Sequence, residues 1–189
     1  MLRIIGGEWR SRKVPFAAIV GLRPTPDRVR ETLFNWLQFD IAGARCLDLF
    51  SGSGALGLEA LSRGAASVTF IDQAPEVVRQ LKENLSTLKC SDAQVIQASV
   101  INWLEQQPDD LTDQFDIVFM DPPFRKGLVN PCCALLEQKQ LLSENALIYV
   151  ENEREAGAAQ AASHWLPHRQ KQAGQVNYQL YRRQPDADA

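Results

Sequence analysis

Residues 44–72 read ARCLDLFSGSGALGLEALSRGAASVTFID. A short apolar run closes on Asp48, a glycine-rich turn follows, a helical stretch stops at Gly64, and a second apolar run closes on Asp72. Glycine just beyond the last periodic residue is a common helix stop, because it adopts the left-handed conformation freely. Gly52, Gly54 and Gly57 have the G-x-G-x-x-G spacing between strand and helix. There the missing Cβ atoms permit a tight turn and bring a ligand close to the backbone. Asp72 lies 20 residues beyond Gly52, at the tip of the next strand, where a carboxylate accepts both hydroxyls of a ribose. The stretch predicts a strand–turn–helix–strand unit that holds a nucleoside-type cofactor. Asp48, four residues before the first glycine, discriminates among such cofactors. In nicotinamide enzymes this helix N-terminus holds a pyrophosphate, which an adjacent carboxylate repels. S-adenosylmethionine (SAM) has a ribose, an ammonium group and no phosphate, so Asp48 favours SAM.

The same rhythm continues down the chain. Residues 75–88 predict a helix with Pro75 in its first turn, 93–98 a third strand, 100–107 a short helix and 115–121 a fourth strand. A helix over 128–140, a fifth strand over 145–151, a weak helix over 154–165 and two strands joined around Gly174 complete it. Strands alternating with helices at this spacing imply right-handed crossovers and a parallel sheet covered on both faces. The closing hairpin implies an antiparallel C-terminal edge. Upstream, residues 1–16 read as a small hairpin around Gly6-Gly7 and 17–25 as a loop. A helix then runs to Leu37, with Thr25 as its N-cap and Pro26 in its first turn. The expected fold class is α/β, Rossmann-like and mostly parallel, with a hairpin-and-helix extension over 1–40, the main domain over 41–183 and a disordered tail over 184–189.

Asp121-Pro122-Pro123-Phe124 follows the fourth strand. Ligands of open parallel sheets bind at the carboxyl ends of the strands, so Asp48, Asp72 and Asp121 are expected along one edge. Consecutive prolines stiffen the backbone and remove N–H donors, leaving the Pro122 carbonyl as a rigid acceptor. Asp121 supplies a second acceptor, and two acceptors side by side suit an aromatic amine with its two N–H donors. Phe124 offers a stacking face for a base. The lone pair of such an amine is delocalised into its ring. Acceptors on both N–H bonds localise it for in-line attack on a sulfonium methyl, where positioning dominates and Asp121 takes the departing proton.

Composition narrows the class. The chain has 189 residues, 45% hydrophobic and 23% charged, which excludes a largely disordered protein. No apolar run approaches the roughly 20 residues of a membrane span, and the N-terminus lacks the apolar stretch of a secretory signal. Four cysteines without C-x-x-C spacing read as free thiols, which predicts the cytoplasm. His164 and His168 are separated by Pro167 and gather no further ligand, so no metal is expected. The net charge of −3 is unevenly distributed: residues 1–30 carry +5, 31–167 carry −10 and 168–183 carry +4. The basic ends are expected to meet a polyanion. Trp9, among Arg10, Arg12 and Lys13, reads as either an RNA contact or a packed hairpin residue.

The run Asp48-Leu49-Phe50-Ser51-Gly52-Ser53-Gly54, with Asp121-Pro122-Pro123-Phe124 behind it, resembles the class I SAM-dependent amino-methyltransferases. Arg3-Ile4-Ile5-Gly6-Gly7, Leu22-Arg23-Pro24-Thr25, Asp27-Arg28-Val29-Arg30-Glu31, Gly174-Gln175-Val176 and Leu180-Tyr181 narrow this to the RsmD-type bacterial 16S rRNA guanine-N2 methyltransferases, over roughly residues 3–183. The resemblance implies the seven-strand methyltransferase fold, SAM as donor, and a guanine of 16S rRNA in the assembled or assembling small ribosomal subunit as acceptor. It implies that Asp48, Phe50, Gly52 and Gly54 border the methionine part of SAM. Asp72 would hold the ribose, and Gln73, Ser99 and Val100 would flank the adenine. Ser99 departs from the Asp or Asn frequent at that place in such enzymes, although serine also accepts a hydrogen bond. Asp121 and Pro122 would bind the amine and Phe124 the base. Arg10, Arg12, Lys13, Arg23, Arg28, Arg30, Pro123 and Arg125 would face RNA. A monomer is expected. The rival readings are an N6-adenine methyltransferase, a nicotinamide-dependent dehydrogenase, and an RNA-binding module without catalysis.

Overall fold

The computed structural model describes residues 1–109, 113–124, 126–156, 159 and 162–184. The chain divides into two compact units, Met1–Ser99 and Val100–Ala189.

In the first unit, β1 (Leu2–Arg3) pairs antiparallel with β2 (Lys13–Val14), the expected hairpin. Then come α1 (Asp27–Trp36), β3 (Arg45–Leu49), α2 (Ala55–Ser62), β4 (Ser67–Asp72), α3 (Pro75–Thr87) and β5 (Ala93–Gln97). Strand β4 runs parallel to both β3 and β5. Their side chains, with Leu47, Leu49, Phe70 and Ile71 fully enclosed, form the core. Each such side chain contributes about 1.5–3 kcal/mol by leaving water. One expectation at α1 is corrected. Pro26, not Thr25, is the N-cap, with φ −55° and ψ 149°, and no side chain caps the helix. Extended backbone at Pro26 delays the helix by a residue, and the Thr25 carbonyl instead accepts Arg30 Nε at 3.0 Å.

All eight residues of α2 are buried, Glu59 among them. Glu59 Oε1 accepts the Ile5 N–H at 2.9 Å and Arg30 Nη1 at 3.3 Å. Its Oε2 accepts the Gly6 N–H and Arg63 Nε, both at 2.9 Å. Gly7 explains its place in the motif. At φ +78°, a Cβ there would lie 2.0 Å from the Ser62 carbonyl oxygen, which takes the Glu8 N–H at 2.8 Å. The N-terminal segment is thus fastened to α2, the helix that opens from the glycine turn.

The second unit contains α4 (Val100–Glu105), β6 (Phe115–Met120), α5 (Val129–Gln138), β7 (Leu142–Glu153), β8 (Trp165–Ala173) and β9 (Val176–Arg183). Strands β6 and β7 are parallel, and β9 is antiparallel to both β7 and β8. The seven-stranded sheet has the order β5-β4-β3-β6-β7-β9-β8, mostly parallel with the expected antiparallel C-terminal edge. Strand β7 starts earlier than its apolar run, because the register shifts between Phe115 and Ile117 and admits the polar Ser143, Glu144 and Asn145. The weak helix expected over 154–165 is corrected to a 3-10 turn at Arg154–Ala156, and Trp165 already belongs to β8. Alanine propensity without an apolar face to bury does not sustain a helix of that length. Residues 157, 158, 160 and 161, and the tail from 185, lie outside the described residues. The four cysteines are free thiols, and burial pushes Cys132 and Cys133 up to about 12.

Glu137 of α5 joins the helix to the sheet edge. It accepts Arg183 Nε at 2.5 Å and Trp165 Nε1 at 2.9 Å, and lies 2.6 Å from His164 Nε2. Burial raises its pKa, but the hydrogen bonds from Arg183, Trp165 and His164 outweigh it and hold the carboxyl below its ordinary value of 4.5. A carboxyl depressed in the folded state stabilises above its unfolded pKa, and that contribution fades as pH falls through the folded value. Urea midpoints are expected to drop below about pH 4.5, and Glu137→Gln should flatten that part of the profile. An unchanged slope in the variant would assign the acid sensitivity elsewhere.

Candidate active site

The first unit carries most of the residues expected at the cofactor. Asp48 is the penultimate residue of β3, and its Oδ2 accepts the Gly57 N–H at 3.1 Å. Ser51 Oγ donates to the Asp48 carbonyl at 2.8 Å and turns the chain. Phe50 adopts φ +58°, a left-handed conformation costly for a residue with a side chain and concentrated at ligand sites. Gly52 follows at φ +55°, and its N–H donates to Asp72 Oδ2 at 3.0 Å. Asp72 Oδ1 takes the Ala74 N–H at 2.9 Å. Asp72, 20 residues beyond Gly52, therefore anchors the turn that follows Asp48 as well as standing at its strand tip.

Two of the glycines answer to packing. A Cβ on Gly54 would lie 2.3 Å from Leu81 Cδ2, and one on Gly57 would lie 2.2 Å from Phe70 Cε1. Gly52 differs: a Cβ there would stand 3.0 Å from Leu22 Cδ1, so the loop before α1 passes over the glycine turn. Leu22 carried no sequence signal of this role beyond its place in the motif.

Asp48 tests whether SAM fits. It is buried, and desolvation first, then the charge of Asp72, raises its pKa well above the usual carboxylate range, against the lowering hydrogen bond from Gly57. A dry acid beside a second acid is relieved by a cation. An ammonium group fits that corner and a pyrophosphate does not. Gln73 is exposed, Ser99 is half-buried, and Val100 is buried at the start of α4.

The second unit carries the residues expected at the acceptor amine. Beyond β6, Asp121 is half-buried, Pro122 buried, and Phe124 50% exposed, which leaves a ring face open for stacking. Pro122, Pro123 and Phe124 line one cleft with Glu151, Asn152 and Glu153 from the end of β7. Sequence reasoning missed Glu151; the signal was an acid directly after the apolar run ALIYV.

Of the cations expected to face RNA, Arg10, Arg12, Lys13, Arg23 and Arg28 are exposed. Arg125 lies outside the described residues. Arg30 is a correction. It is 2% exposed, and its guanidinium donates to Thr25 and Arg3 carbonyls and pairs with Asp27 at 2.5 Å and Glu59. Buried and held by four internal hydrogen bonds, it is not placed to face a phosphate. Trp9 is 7% exposed and its backbone N–H donates to Ser62 Oγ, so the packed reading holds. Among the described residues no group of histidine, cysteine or carboxylate side chains could hold a metal ion, and no helix is long and apolar enough to cross a membrane.

The family model described as conserved hypothetical protein 95 matches residues 2–182. Ribosomal RNA small subunit methyltransferase D of Escherichia coli K12 is 50% identical over 188 residues, 100% of this chain and 93% of the relative. The protein of the same name from Haemophilus influenzae is 48% identical over 182 residues, 95% of this chain and 93% of the relative. Among solved structures, a putative methyltransferase yhhF from Escherichia coli superposes with a TM-score of 0.88 at 49% identity, covering 98% of this chain and 99% of that one. Matches that run the length of the chain, through both motif loops, show that it belongs to the conserved hypothetical protein 95 family, the family of the ribosomal RNA small subunit methyltransferases D.

Proposed function

We propose that this protein transfers the methyl group of SAM to the exocyclic N2 of a guanine in 16S rRNA of the small ribosomal subunit. It is a SAM-dependent rRNA methyltransferase. The observation that carries the reading is the 50% identity over the whole chain to a small-subunit methyltransferase, with the Asp121–Phe124 loop seated at the end of β6.

Bound SAM supplies an electrophilic methyl group on a positively charged sulfur. Asp48 would face its ammonium group, Phe50, Gly52 and Gly54 would border its methionine part, Asp72 would hold its ribose, and Gln73, Ser99 and Val100 would flank its adenine. Asp121 and the Pro122 carbonyl accept the two N–H bonds of the guanine amine and draw its lone pair out of the ring. Asp121 receives the proton that nitrogen sheds. Phe124 stacks on the base, which must sit in a loop or be flipped out of its helix. Arg10, Arg12, Lys13, Arg23 and Arg28, with Pro123 and Arg125 at the acceptor loop, contact the RNA, the cations through its phosphates. In this reading residues 1–40 form an RNA-facing extension to a methyltransferase domain over 41–183. The enzyme is a cytoplasmic monomer without metal that acts on the assembled or assembling particle.

Small-subunit particles lacking this methyl group, incubated with the protein and labelled SAM, are expected to yield N2-methylguanosine on nucleoside analysis. Label in N6-methyladenosine would transfer the assignment to adenine, and no label in any particle would remove it.

A further inference from the structure

Asp121 has a neighbour. The parallel register pairs Met120 with Val150, so the next positions along β6 and β7 are Asp121 and Glu151. Side chains alternate along strands, so these two follow Phe119 and Tyr149, which meet edge to face at 6.5 Å, on the same side of the sheet. Glu151 is 7% exposed, yet it lines the cleft with Pro122, Pro123 and Phe124. Its Oε1 accepts the Tyr149 hydroxyl at 2.7 Å, and among the described residues no donor reaches Oε2.

Two acidic side chains stand close to the same aromatic rings. After burial itself, the charges of Glu151 and Asp121 hold Tyr149 and Tyr178 above the ordinary phenol range, which places both carboxylates near the same two rings. Two carboxylates side by side in a partly dry corner favour a ligand that brings N–H donors.

Guanine presents three adjacent donors on one edge, N1–H and the two N–H bonds of N2. Adenine presents an amine beside a bare N1 acceptor. We infer that Glu151 selects guanine: its Oε2 accepts N1–H while Asp121 and the Pro122 carbonyl hold the N2 amine. Adenine would set its N1 lone pair against the carboxylate, and a site built to bond an N–H rejects the analogue that lacks it. This rests on the guanine reading above and adds the residue that enforces it.

The test compares wild type with Glu151→Gln on particles carrying guanosine or 2-aminopurine riboside at the methylated position. 2-Aminopurine keeps the amine but has a bare N1. Wild type is expected to favour guanine in kcat/KM by about 10²- to 10⁴-fold. In the variant the Tyr149 hydroxyl holds the glutamine carbonyl and turns its NH2 towards the base. Guanine should then fall by about 10²-fold while 2-aminopurine rises above its wild-type rate. Unchanged SAM affinity by calorimetry identifies a folded variant. Equal wild-type rates on the two bases would overturn the inference even if the variant failed to fold. So would a variant with wild-type guanine kinetics, or one that loses both substrates equally. Failure of the guanine reading looks different: wild type would leave no N2-methylguanosine at all, and the inference would fall with it.

Discussion

Replacing Asp121 with alanine is expected to slow methyl transfer by about 10²- to 10⁴-fold under single-turnover conditions, the range for removing a positioned proton acceptor. SAM affinity should change by less than about threefold, because the residues assigned to the cofactor sit on the turn after β3 and at or just beyond the ends of β4 and β5. The size of the effect follows from the substrate. An aromatic amine is a poor nucleophile while its lone pair is shared with the ring. The Pro122 carbonyl alone restrains one N–H and leaves the nitrogen near planarity. Asp121→Asn separates the two parts of the role. Asparagine keeps an acceptor oxygen but takes no proton at neutral pH, so a partial recovery over alanine measures orientation and the remainder measures proton removal. An alanine variant with wild-type single-turnover rates would show that the loop is a rigid turn and nothing more.

Replacing Glu59 with alanine is expected to destabilise the protein by about 3–5 kcal/mol, the cost of leaving buried charge without its partner. Arg30 is 2% exposed and would keep only the half-exposed Asp27 as a counterion, while the Ile5 and Gly6 N–H groups would lose their acceptor. For a chain of this size the melting temperature should fall by roughly 6–20 °C. Glu59→Gln should be milder, because the amide oxygen still accepts one of the backbone N–H groups. Arg28→Ala, two residues before Arg30 but exposed, should stay within about 0.5 kcal/mol. A Glu59→Ala shift below about 1 kcal/mol in urea titrations would mean that water replaces the carboxylate. The contrast also separates stability from binding: loss at Arg30 should appear in melting, and loss at Arg28 in affinity for ribosomal particles.

The legible part of the site was the part written in adjacent residues. The strand tip at Asp48, the glycines and Asp72 form a single strand–turn–helix–strand unit, and the structure draws them into one hydrogen-bonded turn. Asp121 to Phe124 are consecutive, and two prolines leave the backbone little choice. Arg30 could not be read this way. In sequence it is one of several arginines in a basic segment, and its only local partner is Asp27, three residues away. Glu59 offered a faint signal, a lone acid in an otherwise apolar helix, without indicating which residues satisfy it. The weak helix over 154–165 failed for the opposite reason: propensity was present but no apolar stripe obliged it to pack.

Short-range periodicity and turn chemistry suffice to specify the order of strands and helices, the glycine turn and the acceptor loop, because those features depend on residues within one or two turns of each other. Folding alone seats Arg30 against Glu59 and aligns Glu151 with Asp121, pairs separated by 29 and 30 positions. Such neighbours follow from burial and strand register, which are properties of the assembled sheet and helices. No local pattern records them, because the energy that selects them exists only once water has been excluded from between the elements.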